Sequence, residues 1–264
     1  MSADLATLAL SLAMAAAAGL VGCFVVMRRM ALAADALSHV ALPGIGAALA
    51  LGIHPLFGAA AMLFFGAVLV WGLERRTRIA TETIIGVVFS AALAIGSLMS
   101  SGEELIEALF GGAGTLTVGE IVFGLLAAVG VVFFILAQRS SLVLTLLSPE
   151  IGHTAGINVA RLNLFFLETF ALTVALGLRY LGVLLMGSLI IIPAATAKRL
   201  ARTLTGMLVA AVVFALLATL VGTLLAGVLH RPTGPVIISI AAFLFVLSLF
   251  TRRLIRVRPS RRAT

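Results

Sequence analysis

The chain has 264 residues, 62% of them hydrophobic and 11% charged, with a formal net charge of +8. A soluble domain carries about 25% charged residues, so a chain this apolar, with mean hydropathy +1.25, cannot cover its own surface in water. Its apolar runs are long and do not alternate, which excludes a membrane β-barrel and predicts an all-α polytopic membrane protein, a single transmembrane domain over 1–264.

Nine apolar segments follow one another, at about 5–27, 36–52, 56–73, 84–100, 118–137, 164–178, 181–196, 206–229 and 235–251. The N-terminal Met1-Ser2-Ala3-Asp4 lacks the basic region of a secretory signal, so 5–27 is expected to be a retained span. Residues 164–196 read either as two spans or as one long broken helix, so eight or nine transmembrane helices are expected. Pro43 and Pro193 fall inside or beside spans and each removes a helix hydrogen bond. Ala15/Gly19/Cys23 and Gly44/Ala48/Gly52 repeat at the four-residue spacing that lets helix backbones approach closely. The lone Cys23 argues against a disulfide framework or a thiolate cluster.

The pI of about 11.5 raises nucleic acid as a partner, but the placement of the basic residues gives a simpler account. With the N-terminus outside, sixteen of the eighteen Lys and Arg fall on one side of the membrane, six of them in the tail 252–264. Only Arg179 and Arg231 fall on the other. The positive-inside rule then predicts N-terminus out and C-terminus in the cytoplasm, with no nucleic-acid partner. The tail reads first as an anchor of that orientation, with contact to anionic membrane lipid as the second reading.

A charge at the bilayer centre costs about 2.5–3.5 kcal/mol on insertion scales, so the ionisable residues inside spans need a reason. Asp35 and His39 stand at i, i+4, on one helical face. A carboxylate oxygen beside an imidazole nitrogen is half of a site for Zn²⁺, Mn²⁺ or Fe²⁺. The same pair could instead hydrogen-bond to itself and fix a helix start, and spacing leaves both readings open. Two symmetry-related chains would bring two such pairs together. Glu82 precedes the fourth span, where a helix N-terminus favours a carboxylate, and Glu168 lies four residues inside the sixth segment. Both, with Pro193, are candidates for a pathway or its gates. Glu103, Glu104, Glu107 and Glu120 form a small acidic patch on the outer side, read as a solvated loop. His54 and His230 lie in outer loops and read as incidental.

Between the fifth and sixth segments lies a polar interruption, 148–161. Ser148-Pro149-Glu150 reads as a helix start and Gly156 as a stop. It falls on the basic side. There is no phosphate-binding Gly-Lys-Ser/Thr loop, since Lys198 is the sole lysine, and no His-Glu-x-x-His or Gly-x-Ser-x-Gly motif. The chain is therefore not expected to be an enzyme.

Four blocks in order resemble the zinc/manganese/iron-type ABC transporter permeases, such as high-affinity zinc uptake permeases. They are Arg28-Arg29-Met30 with Asp35-Ala36-Leu37-Ser38-His39-Val40-Ala41-Leu42-Pro43-Gly44; Glu82-Thr83-Ile84-Ile85-Gly86; Gly182 to Ala197; and Thr233-Gly234-Pro235. Together they run over nearly the whole chain. The resemblance implies a fold like the cobalamin-type ABC importer permeases and a homodimer. It also implies one cytoplasmic ATP-binding subunit per permease and an extracytoplasmic metal-binding protein. It carries the membrane metal site to Asp35 and His39 and the ATPase-coupling segment to 148–161, with Ser148, Pro149, Glu150 and Gly156. The implied cargo is a divalent metal, zinc before manganese or iron, with no permanently bound cofactor. The rival from another class is an ATP-independent channel or proton-coupled secondary transporter in which Asp35, His39 and Glu168 relay protons.

Overall fold

The computed structural model describes residues 2–77, 79–99, 117–181 and 183–256, and the side chains of 2–4, 32–35, 38, 179–181, 183–185 and 251–256 lie outside that description. Eleven helices occur among the described residues. They are α1 (Ser2–Met27), α2 (Ala31–Val40), α3 (Leu42–Ala50), α4 (Pro55–Arg76), α5 (Thr81–Met99), α6 (Val118–Leu147), α7 (Pro149–Thr154), α8 (Val159–Leu181), α9 (Val183–Leu200), α10 (Leu204–Leu229) and α11 (Thr233–Arg256). Seven of them are long and apolar enough to cross a membrane: α1, α4, α5, α6, α8, α10 and α11. The α2–α3 pair and α9 take the two remaining apolar segments.

The α2–α3 pair is one apolar segment bent at Ala41. Pro43 has no N–H to give the His39 carbonyl four residues back, and its ring crowds that carbonyl, so the helix breaks there. The segment 164–196 resolves into two helices, not one broken rod. Gly177 on α8 lies against Met186 on α9, a contact that a continuous helix, at 1.5 Å per residue, would forbid. The two helices therefore fold back on each other.

The bundle is built around α1, which packs against α6, α8, α9 and α10. Ala15, Ala17, Ala18, Val21, Cys23, Phe24 and Val25 are all buried, and the Phe24 ring meets Phe166 edge-on at 6.4 Å. Small residues permit this crowding. A Cβ on Gly22 would land on the Ile190 carbonyl of α9, and one on Gly19 would stand 3.0 Å from the Ala211 oxygen of α10. On the other side of the bundle α3 and α4 meet through Gly44 and Gly58 in the same way. In lipid such close packing, with its dispersion contacts, substitutes for a hydrophobic driving force between helices. Outward faces are apolar: Phe57, Phe65, Phe123, Phe133 and Phe243 are all more than half exposed.

Several predicted stripes and loops have other uses. Gly52 does not belong to a packing stripe with Gly44 and Ala48. It ends α3 in the left-handed region at φ +67°, with Ile53 N–H returning to the Ala48 carbonyl at 2.9 Å, a Schellman closure. Glu120 completes a capping box with Thr117 at the start of α6. His54 caps α4, its Nδ1 accepting from Leu56 N–H at 3.3 Å, and His230 ends α10 in the left-handed region. Glu103, Glu104, Glu107, Arg78 and the tail beyond Arg256 lie outside the described residues.

The glycine contacts separate two kinds of substitution. Gly22→Val forces the α1–α9 crossing apart and is expected to lower stability by about 1–3 kcal/mol or more, the usual range for overpacking. Gly130→Ala, with nothing within 4 Å of its added Cβ, is expected to leave it unchanged. Thermal unfolding of the detergent-solubilised protein, followed by fluorescence of the lone Trp71, distinguishes them.

Candidate functional site

Most of the described charged side chains gather at one end of the bundle; Glu120 and Arg231 stand at the other and Glu168 lies between. The turn after α1, the ends of α4, α6 and α9, and the starts of α5, α7 and α8 all meet at the charged end. The turn after α1 closes as a Schellman motif: Met30 N–H reaches the Val25 carbonyl at 2.9 Å. The left-handed residue is Arg29, at φ +62°, where glycine is the usual choice. A non-glycine residue there costs about 1–2 kcal/mol, so the turn keeps a strained arginine.

Next to it, Arg28 Nη1 donates to Asn163 Oδ1. Asn163 Nδ2 in turn donates to Glu74 Oε2 at 2.6 Å, and Thr81 Oγ1 donates to Glu74 Oε1 at 2.7 Å. The amide of Asn163 thus stands between a cation and a carboxylate. Arg28 also lies over the Phe166 ring, 4.3 Å from its centroid. Burial lowers the Arg28 guanidinium to about 10, a shift that the Glu74 carboxylate opposes, so it remains a cation at neutral pH. Trp71 Nε1 donates to the Ala160 carbonyl at 2.8 Å, and Arg75 covers the Trp71 ring at 4.9 Å. Together these contacts fasten the ends of α1 and α4 and the start of α5 to the first two turns of α8.

A cavity of about 760 Å³ opens beside this network. Arg28, Arg29, Arg75 and His153 line it, with Glu74 and Glu82 opposed to them. Glu82 is therefore at the open, charged end of α5, in its first turn and exposed to solvent.

The predicted 148–161 interruption forms the short helix α7 and the turn that follows. Ser148 Oγ accepts from Ile151 N–H at 3.3 Å, Pro149 occupies the first turn, Glu150 follows it, and Gly156 ends the helix at φ +78°. Ile157 N–H then reaches the Gly152 carbonyl at 3.0 Å. α8 begins at Val159, five residues before its apolar stretch, because Asn158 Oδ1 accepts from Arg161 N–H at 3.0 Å and caps it. Gly152 keeps α7 seated: a Cβ there would stand 2.9 Å from Thr145 Cγ2 on α6 and 3.2 Å from Val159 Cγ2 on α8.

Deeper in the bundle, His39 packs its ring against Phe89 of α5, 5.6 Å between centroids. Its Nδ1 is buried without a hydrogen-bond partner. Glu168 Oε2 on α8 is another such atom, as are Arg199 Nε near the end of α9 and Thr219 Oγ1 on α10. Leaving a buried polar atom unpaired costs about 1–3 kcal/mol, so each calls for a partner of its own. His39, Phe89 and Glu168 lie eight or nine residues along α2, α5 and α8, a rise of about 12–14 Å from the charged end. Asp35 lies one turn before His39 in α2, its side chain outside the described residues. Pro193 is buried inside α9, and α9 packs on α2. No cluster of three or more His, Cys, Asp or Glu occurs among the described residues.

Sequence reading singles out His39, Glu168 and the α7 segment and passes over Glu74, Asn163, Thr81 and Trp71, which the structure joins in one network. The available signal for Glu74 is a lone carboxylate beside Arg75-Arg76 at the end of a span. Its partners lie elsewhere in the chain, and no spacing rule joins them.

The ABC 3 transport family model matches residues 4–252. The high-affinity zinc uptake system membrane protein ZnuB of Haemophilus influenzae is 32% identical over 88% of this chain and 90% of that protein. The manganese transport system membrane protein MntC of Listeria monocytogenes is 27% identical over 87% of this chain and 84% of its own length. Among solved structures, PsaBC from Streptococcus pneumoniae superposes with a TM-score of 0.81 at 24% identity, covering 99% of this chain and 94% of that one, which establishes the shared all-helical fold. A match along almost the whole sequence, on a bundle of the same fold, leaves one assignment: the chain belongs to the ABC 3 transport family, as a membrane permease of the zinc-, manganese- and iron-type ABC transporters.

Proposed function

We propose that two copies of this chain form the translocation path of an importer for a divalent transition metal, with Asp35 and His39 of each copy as its membrane ligands. The observation that carries the reading is the buried, unpartnered Nδ1 of His39, one helical turn from Asp35. An imidazole nitrogen with no hydrogen to accept is free to bind a borderline Lewis acid, and a carboxylate one turn away supplies charge. Two pairs at a dimer axis give four ligands. Such a site must hold the ion weakly, because conduction needs release as much as capture. Zinc is the favoured cargo: the 32%-identical relative is named for zinc uptake, and the His–Asp set suits Zn²⁺. Manganese and iron are the alternatives.

The driving force comes from a cytoplasmic ATP-binding subunit, one per permease, and an extracytoplasmic metal-binding protein delivers the ion. The permease performs no chemistry of its own. It lies in the bacterial cytoplasmic membrane with the N-terminus outside, which puts the arginine-rich end and α7 in the cytoplasm, as the positive-inside rule requires. α7 is then the coupling helix, with Ser148, Pro149 and Glu150 opening it and Gly156 ending it. Ile151, 54% exposed at its centre, is the apolar knob offered to the ATP-binding subunit. Glu82 and Glu168 are stations at the mouth of the path and at the level of His39, and Pro193 is the bend about which α9 yields.

Two experiments test this. In vesicles holding the permease with its ATP-binding subunit and binding protein, Asp35→Ala and His39→Ala should each lower metal uptake at least about tenfold, as loss of tuned ligation does elsewhere, while the complex still assembles. Normal uptake by both variants would make the pair structural and move the search to Glu168 and Glu82. Uptake that proceeds without ATP would instead favour the channel or proton-coupled transporter.

Ile151→Glu should abolish co-purification of the ATP-binding subunit. The permease should keep its own unfolding temperature, because more than half of the side chain is exposed. Retained co-purification would exclude α7 as the docking point.

A further inference from the structure

We propose that Asn163, held between Arg28 and Glu74, is the joint that passes displacement of α7 to the helices flanking Asp35 and His39. The inference rests on the ATP-driven reading above and assigns a positioning role to residues that make no contact with the ion.

Three observations lead there. First, α7 and the start of α8 form one body. Gly156 at φ +78° turns the chain, the Ile157 N–H to Gly152 carbonyl bond closes it, and Gly152 seats against Val159. Anything that moves α7 carries Asn163, one turn beyond Val159. Second, both ends of the Asn163 amide are engaged. Its oxygen takes the Arg28 proton and its nitrogen gives one to Glu74, so a shift of the α8 start has to break or drag both. Third, each partner leads to the proposed ion path. Arg28 begins the three-residue link from α1 to α2, which carries Asp35 and His39. Glu74 holds Thr81, the first residue of α5, and α5 carries Phe89 against His39.

An amide suits this position better than a direct Arg–Glu pair. A desolvated ion pair brought into contact is hard to separate, since removing either charge strands the other. With a neutral amide between them, the cation and carboxylate stay within reach of each other while two hydrogen bonds, each with one charged member, set the cost of opening.

The test compares metal transported with ATP hydrolysed in vesicles containing the permease, its ATP-binding subunit and the binding protein. Asn163→Leu removes both hydrogen bonds at similar volume. Asn163→Asp keeps the bond to Arg28 and repels Glu74. Both should assemble and hydrolyse ATP at near the wild-type rate, yet carry at least about fivefold less metal per ATP, the lower end of ordinary coupling between sites. Glu74→Gln, which preserves an acceptor for Asn163, should retain most of the ratio. A proportional fall in hydrolysis and uptake, or an unchanged ratio in both Asn163 variants, overturns the proposal.

Should the variants fold poorly, the same question is put to the wild-type network. Spin labels at the exposed Arg76 or Arg161, each paired with one at the exposed Phe250 of α11 in a Cys23→Ser background, report how far the α4 end and the α8 start move. Both distances should change between the nucleotide-free and nucleotide-trapped complexes, and a change at Arg161 without one at Arg76, or no change at either, refutes the joint. The wild-type complex separates this inference from its foundation: if it transports metal without ATP the importer reading fails, whereas if it is ATP-coupled and the variants are too, only the role of Asn163 fails.

Discussion

The fold depends on how closely α1 can be approached. At Gly22 no side chain fits between α1 and the Ile190 carbonyl of α9, and at Gly19 the backbone of α10 is almost as near. In lipid the helices gain nothing by hiding apolar surface from one another, since the surrounding chains are equally apolar. What they gain is dispersion over short distances, and that needs bare backbones. Once α1 sits in this slot, Phe24 is placed against Phe166 and Arg28 is delivered to Asn163. The charged network is thus downstream of a packing constraint built from alanines and glycines.

Polar groups are met differently along the bundle. In the cluster of Arg28, Asn163, Glu74 and Thr81 the hydrogen bonds are matched: Glu74 uses both oxygens and Asn163 both ends of its amide. His39 Nδ1 and Glu168 Oε2, deeper in the bundle, have no partner, and neither do Arg199 Nε and Thr219 Oγ1. The turn at Arg29 keeps a strained residue, since glycine would close it at lower cost.

Much of the architecture was legible in the sequence because lipid imposes simple rules. The order of the spans, the break at Pro43 and the helix start at Ser148-Pro149 follow from local chemistry and appear where the residues place them. His39 announced itself by the cost of putting an imidazole inside an apolar run. The limits of this reading are equally physical. Gly52 repeats the spacing of a packing glycine but serves a turn, because spacing says nothing of φ. Residues 164–196 stayed ambiguous because an apolar run does not reveal whether its chain reverses. Glu74 looked like one more charge at a helix end. Its meaning comes from Asn163, 89 positions away, and from Arg28 beyond that.

The reversal between α8 and α9 has a mechanical consequence. α8 ends at Leu181 and α9 begins at Val183, with Gly177 and Met186 in contact just below the bend. Two rods joined this tightly cannot slide lengthwise past each other; they can only tilt as a pair. One rod starts at α7. The other returns to the same end, where the Lys198 ammonium holds the Val26 carbonyl at the foot of α1 at 3.3 Å. A push on one leg of this hairpin is therefore felt at the base of the other, so it behaves as a rocker whose two feet rest on the same side of the membrane.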